Sequence, residues 1–187
     1  MERNIVLVGL PSCGKTTLGK QAADLLGIDF VDTDAMTSAS LNAEGFSWLH
    51  IFSARGQDAF LQAQHKVIES LRLLQRPTII ATGAEAPLSP ENIPLLHEAG
   101  IIIHIHRDFD IIMAHLRDKH AREEGLQLVN VDTGQRMILH ESGMENYRAC
   151  LPRYDSISDL SIENHGEVSE GVATLVKVIR ACNANPR

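Results

Sequence analysis

The chain is short of cysteine, short of positive charge and free of long apolar runs, and each shortage closes off a class of protein. Its three cysteines, Cys13, Cys150 and Cys182, are odd in number and show no C-x-x-C spacing, so neither a disulfide framework nor a structural zinc site is expected. A reducing, cytoplasmic setting follows. Lys and Arg total 17 against 24 Asp and Glu, which leaves a formal charge of −7 and a pI near 5.7. Nonspecific binding to nucleic acid needs a basic face, and this balance argues against it. Positive charge must instead act locally, through a few side chains that meet an anionic ligand. No apolar run approaches the length of a membrane span, so no membrane partner is expected, and the first residues lead directly into a strand, leaving no room for a signal peptide. Repeats, low-complexity tracts and long linkers are also missing. What is there, 187 residues with 44% hydrophobic and 22% charged, predicts a single domain over 1–187 with a full hydrophobic core.

The strongest positive signal is residues 4–20, NIVLVGLPSCGKTTLGK. An apolar run, Ile5 to Val8, breaks at Gly9, and Gly14-Lys15-Thr16 opens an amphipathic helix. The spacing from Gly9 to Thr16 satisfies G-x-x-x-x-G-K-[ST], the phosphate-binding P-loop, with the strand before and the helix after that the motif requires. Glycines without Cβ let the loop curl so that the amides of Pro11, Ser12, Cys13, Gly14, Lys15, Thr16 and Thr17 ring a phosphate, proline contributing backbone shape without an N–H. The helix N-terminus adds partial positive charge. Lys15 would neutralise the β- and γ-phosphates of ATP, and Thr16 would offer its hydroxyl to Mg²⁺. Cys13 reads as a small filler rather than a catalytic thiol.

Down the chain, Lys15 to Leu26 carries Leu18, Ala22, Leu25 and Leu26 at helical spacing and stops at Gly27, a C-terminal cap. The next strand, 28–31, delivers Asp32-Thr33-Asp34 at its C-terminal end, where open α/β sheets collect ligands. Two carboxylates at i and i+2 beside a phosphate loop suit a division of labour: Asp32 holds Mg²⁺ through water, and Asp34 touches the phosphate acceptor. The competing reading is a turn and helix N-cap. Residues 46–75 are predicted mostly helical, with an apolar face from Trp48 through Leu74 and a break at Gly56. Thr78 to Ala81 is a strand, 91–98 a helix capped by Gly100, and 101–106 a strand apolar enough to be covered on both faces. Its histidines, His104 and His106, share a strand face; with no third ligand in view they read as structural or rim residues rather than a metal site. A helix over 108–119 precedes a segment, 120–140, without hydrophobic periodicity, which suggests a lid. A last strand, 160–162, and a helix, 168–181, close the chain. Strands alternating with helices predict an α/β fold with a parallel sheet, right-handed crossovers and helices on both faces.

These residues resemble the shikimate kinase family over almost the whole chain. The stretch GLPSCGKTTLGKQAADLLGIDFVDTDAM is similar to that family's P-loop, helix and Phe-x-Asp-x-Asp strand end. IFSARGQDAF resembles its substrate-domain helix, and TIIATGAEA sits where the family has a Thr-Gly-Gly-Gly strand end. Arg136-Met137-Ile138-Leu139 resembles the Arg-Pro-Leu-Leu of the lid. The resemblance implies a five-stranded parallel sheet in order 2-3-1-4-5, of the P-loop NTPase and nucleoside-monophosphate-kinase type. A substrate-binding helical region at about 33–75 and a lid at about 118–140 would accompany it. It also implies ATP-dependent phosphorylation of a small-molecule alcohol, shikimate or an analogue, with Mg²⁺. Lys15, Asp34 and Arg136 would be catalytic, Thr16 and Asp32 would hold the metal, and Gly83 and Arg148 would contact the acceptor. The family's adenine-side arginine falls nearest His115 and Arg117, of which Arg117 is the candidate. No motif speaks to oligomeric state, and a monomer is the default expectation.

The departures are concentrated on the acceptor side. The family's carboxylate-gripping arginine and its bracing glutamate are replaced by Leu61 and Gln64, and the triple glycine by Gly83-Ala84-Glu85. A second family arginine aligns with Cys150, leaving Arg148 or Arg153 as displaced substitutes. A hydrogen bond to a charged group contributes about 1.5–3 kcal/mol, so losing such an arginine weakens a carboxylate-bearing acceptor by roughly one to two decades. Two alternatives to shikimate phosphorylation therefore stay open: a related kinase for another small alcohol, and a nucleotide-binding module without turnover.

Overall fold

Short apolar strands interleaved with amphipathic helices can bury both sheet faces only as a layered α/β structure. The computed structural model has that form; it describes residues 3–42, 56–122, 128–129, 136–137 and 150–184. Strand β1 (Ile5–Val8) is at the centre, and all four of its residues are fully buried. Around it lie β2 (Asp29–Asp32), β3 (Thr78–Ala81) and β4 (Ile101–His106). Two-residue strands β5 (Leu128–Val129) and β6 (Arg136–Met137) follow, then β7 (Leu160–Glu163). The main sheet runs β2-β3-β1-β4-β7, every neighbouring pair parallel. This is the order 2-3-1-4-5, with β7 as the fifth strand.

Helices are α1 (Lys15–Leu26), α2 (Thr33–Ser40), α3 (Gln57–Ser70), α4 (Asn92–Ala99), α5 (Phe109–Arg122), α6 (150–157) and α7 (Val168–Ala184). Helices α1 and α7 pack together, α1 also lying on β2 and β3, while α4 joins α3 to β1 and β4. Gly27 ends α1 in the left-handed conformation, φ 66°, and its N–H donates to the Ala23 carbonyl. Phe60, Val67, Ile68 and Leu71 are buried along α3 and the turn after it, as the apolar face predicts. Trp48, Ile51 and Phe52 lie outside the described residues.

Gly100 ends α4 as expected, its N–H bonding the Leu96 carbonyl from extended backbone, φ 173°. Residues 33–40 form α2 behind the Asp32 cap, within the helical region expected from about 33. Within 120–140, α5 continues to Arg122 and β5 pairs antiparallel with β6, Val129 opposite Arg136. Two-residue strands are too short to show alternation, so their pairing was invisible to periodicity.

Candidate active site

The loop after β1 is bent at Gly9 (φ 141°), Ser12 (φ 60°) and Gly14 (φ 109°). A Cβ at Gly9 would stand 2.7 Å from the Ile105 carbonyl, and one at Gly14 2.6 Å from Asn164 Nδ2, so both glycines are required by space as well as by conformation. Asn164, directly after β7 and buried, donates from Nδ2 to the Cys13 carbonyl at 2.8 Å. Arg107, directly after β4, reaches the Ser12 carbonyl from Nη1 at 3.4 Å. Neighbouring strand ends thus strap the loop in place. Neither residue is a candidate by sequence, since the contacts span 151 and 95 positions and no local pattern announces them.

Lys15 is buried, and its Nζ donates to the Gly9 and Leu10 carbonyls at 2.8 and 2.9 Å. Thr16 is exposed at the start of α1, and its hydroxyl donates to Asp32 Oδ2 at 2.8 Å. The other Asp32 oxygen accepts the amides of Asp34 and Ala35 at 3.0 and 3.2 Å, capping α2. The N-cap reading of Asp32 therefore holds, and the cap leaves the second carboxylate oxygen on Thr16. The cap fixes the carboxylate, and the fixed carboxylate faces the threonine that would share Mg²⁺ with it. A hydroxyl and a carboxylate are the hard oxygen donors that Mg²⁺ prefers, so the set fits that ion. Pro11, Ser12, Cys13 and Gly14 form the turn itself, and Thr17 lies in the first turn of α1.

Asp34 follows on the first turn of α2, with its carboxylate against Gly83, where any Cβ would collide with it. Burial raises its pKa to about 6, helped by the like charges of Asp32 and Glu85 and opposed by Lys15. A carboxylate with that affinity for protons is suited to general-base work near neutral pH. The strand-end loop beside it is pinned at three points. Gly83 N–H donates to Thr33 Oγ1 at 3.0 Å, Tyr154 O–H to the Ala84 carbonyl at 2.8 Å, and Asn92 Nδ2 to the Ala86 carbonyl at 3.0 Å. Tyr154 is wholly buried. Glu85 is half-buried and its pKa is raised by that burial, with Lys15 opposing. Its charge in turn helps to raise the Cys150 thiol.

Residues 11–180 match the family model described as shikimate kinase. The chain belongs to the shikimate kinase family. It is thereby placed among ATP-dependent phosphotransferases. A shikimate kinase of Caldicellulosiruptor bescii is 36% identical over 69% of this chain and 74% of its own length. One from Actinobacillus pleuropneumoniae is 27% identical over 92% of both chains. The solved shikimate kinase from Acinetobacter baumannii in complex with shikimate superposes with a TM-score of 0.76 at 23% identity, covering 98% of this chain and 94% of its own. At that identity the likeness speaks for the fold.

Against the shikimate kinase frame, Leu61 and Gln64 lie on α3, Leu61 37% exposed and Gln64 buried with its Nε2 unpartnered among the described residues. Cys150 starts the described part of α6. Arg148 lies outside the described residues. Arg117 falls within α5 and Arg136 within β6, but the description of both stops at the backbone.

The two strand histidines gain partners that the sequence did not show. His104 is buried, and its Nδ1 is 2.7 Å from Asp155. His106 Nδ1 and His165 Nε2 both meet Glu163 Oε2, at 2.7 and 2.6 Å. That set has the composition of a metal site, but the Asp108 amide donates to His165 Nδ1 at 3.0 Å. A neutral ring accepting at Nδ1 carries its proton on Nε2, so Nε2 donates to Glu163 and has no lone pair for a metal. The sequence offered no third ligand, whereas the fold brings Glu163 and His165 to His106, joined by the hydrogen bonds just described. No helix among the described residues is long and apolar enough to cross a membrane.

Proposed function

We propose that this chain transfers the γ-phosphoryl group of ATP to a hydroxyl of a small alcohol seated against Asp34, with shikimate the acceptor its family implies. The observation that carries the reading is the continuous array Lys15, Thr16, Asp32, Asp34. It joins a phosphate-binding loop to a carboxylate whose pKa of about 6 suits it to receive the acceptor's proton. Thr16 and Asp32 would hold Mg²⁺, which when bound supplies positive charge to the phosphate oxygens. Lys15 exchanges its loop carbonyls for β- and γ-phosphate oxygens. Asp34 orients the acceptor hydroxyl and takes its proton as the new O–P bond forms, while the bond from the γ-phosphorus to the bridging oxygen breaks and ADP leaves. Arg136, on the lid at about 118–140, neutralises charge on the transferred group. Arg117 lies beside the base, and Arg148 and Gly83 border the acceptor held by the region 33–75. Catalysis is then mainly positioning plus electrostatics.

The test is ADP release in a coupled assay with shikimate and Mg-ATP, compared with the Lys15→Ala variant. Acceptor-dependent release that disappears with Lys15 is expected, and release indifferent to Lys15 would remove the proposal. A second reading, a related kinase for a different small alcohol, is favoured by Leu61, Gln64 and Cys150 at positions where the family places charged groups for the shikimate carboxylate.

A further inference from the structure

The ends of β4 and β7 carry side chains that the phosphoryl chemistry leaves unused. β7 is the edge strand beside β4, and the register between them ends with His106 opposite Glu163. The next residue on each chain, Arg107 and Asn164, is a strap on the phosphate loop. Three hydrogen bonds then join the two chains around these straps. His106 Nδ1–H and His165 Nε2–H both donate to Glu163 Oε2, at 2.7 and 2.6 Å, and the Asp108 amide donates to His165 Nδ1 at 3.0 Å. A carboxylate only accepts, and bonds of this kind to an ionised oxygen are short and strong. The two rings meet edge to face, their centroids 5.7 Å apart. In sequence Arg107 stands between His106 and Asp108, and Asn164 between Glu163 and His165, so each strap is flanked on both sides by members of the clasp.

What the straps control follows from the planarity of the peptide bond. The loop's peptides are trans, so the carbonyl of one residue and the N–H of the next point in opposite directions from one rigid plane. The Asn164 bond on the Cys13 carbonyl therefore aims the Gly14 N–H, and the Arg107 bond on the Ser12 carbonyl fixes the plane before it. Amides at this turn are the groups that would meet phosphate.

We infer that His106, Glu163 and His165 are positioning residues for the nucleotide: their hydrogen bonds lock the ends of β4 and β7 together, which holds Arg107 and Asn164 on the loop and keeps its amides aimed at phosphate. The inference rests on the reading of this loop as the ATP site and makes no demand on the acceptor. The clasp acts through the straps, not by touching ATP.

Glu163 is exposed, so Glu163→Ala removes two clasp bonds without opening the core. His165→Ala is the second variant, so that a folding defect in one does not decide the result, and circular dichroism checks both. Calorimetry on the full chain measures Mg-ATP and Mg-tripolyphosphate, the second ligand having no base or ribose. Both variants are expected to weaken Mg-ATP by about three- to tenfold, and Mg-tripolyphosphate by the same factor. In an Asn164→Ala background, Glu163→Ala should cost no more than about a further twofold, because the strap it serves is already gone. Mg-ATP affinity unchanged in both variants overturns the inference and leaves the ATP site standing. So does a loss for Mg-ATP that spares Mg-tripolyphosphate, which would make the clasp a contact of the base or ribose, and so do losses that multiply fully with Asn164→Ala. A wild-type chain that binds neither ligand overturns the ATP-site reading as well.

Discussion

The nucleotide side and the acceptor side of this site are built by different means. On the nucleotide side, one contiguous turn supplies the glycines, the lysine and the threonine, and distant residues such as Asn164 only brace it. Function there depends on backbone amides and one cation, and a local motif specifies all of them. On the acceptor side, Asp34, Gly83, Glu85 and Tyr154 arrive from three separate stretches and meet only because β2 and β3 lie side by side with α6 against them. The contrast teaches that one local motif can specify the phosphate side of a site while the acceptor side depends on single side chains brought together by the fold, Leu61, Gln64 and Glu85 among them.

The largest break would come from the cradle. Lys15→Ala should lower kcat by about 10²–10³-fold or more, the scale of removing one preorganised charge at a reacting centre, and single-turnover ADP release would read it. Asp34→Asn should separate the two sides. Phosphoryl transfer falls by about 10²-fold or more through loss of the base, while calorimetric affinity for ATP stays within a few-fold.

Asp34 also makes a pH prediction. Its pKa is about 6 in the fold against an ordinary aspartate value of 3.8, so the folded chain binds this proton more tightly than the unfolded chain does. Stability from the group is fully present below about pH 4 and is lost as pH rises through about 6. At neutral pH the ionised carboxylate is therefore a cost to folding. Asp34→Asn should raise Tm by about 2–4 °C, the shift about 1 kcal/mol produces in a chain of this size. A lowered Tm would contradict the raised pKa. In the wild type, kcat/KM should fall about tenfold per pH unit below about 6.

Leu61→Arg combined with Gln64→Glu sharpens the acceptor side. It should strengthen shikimate binding by roughly 10–100-fold, since one charge-assisted hydrogen bond contributes about 1.5–3 kcal/mol. Steady-state KM for shikimate against that for methyl shikimate would measure it. The smallest effect belongs to the brace: Asn164→Ala removes one buried hydrogen bond and should weaken ATP by about tenfold or less, with kcat nearly unchanged.

Much of this was legible in the chain. The bounds of β1, α1, β3 and β4 follow from apolar runs and glycine stops, because burial on both faces leaves a continuous hydrophobic signature. Asp32 and Asp34 could be placed by their position after a strand and by their spacing to the lysine turn. The β5–β6 pair was not legible, since two-residue strands are shorter than any period. Asn164 and Arg107 carry no local signature; they acquire roles by touching loop backbone far away in sequence.

The order of residues alone determined that a nucleotide's phosphates would be gripped at the first strand-to-helix turn, because that grip is made by neighbouring amides whose geometry is a local property of glycine and lysine spacing. Tertiary structure alone decided that Glu85 shares its electrostatic surroundings with Asp34 and Lys15, and that His165 donates to Glu163. Electrostatic coupling and proton placement depend on distances between chain segments, which no stretch of sequence contains.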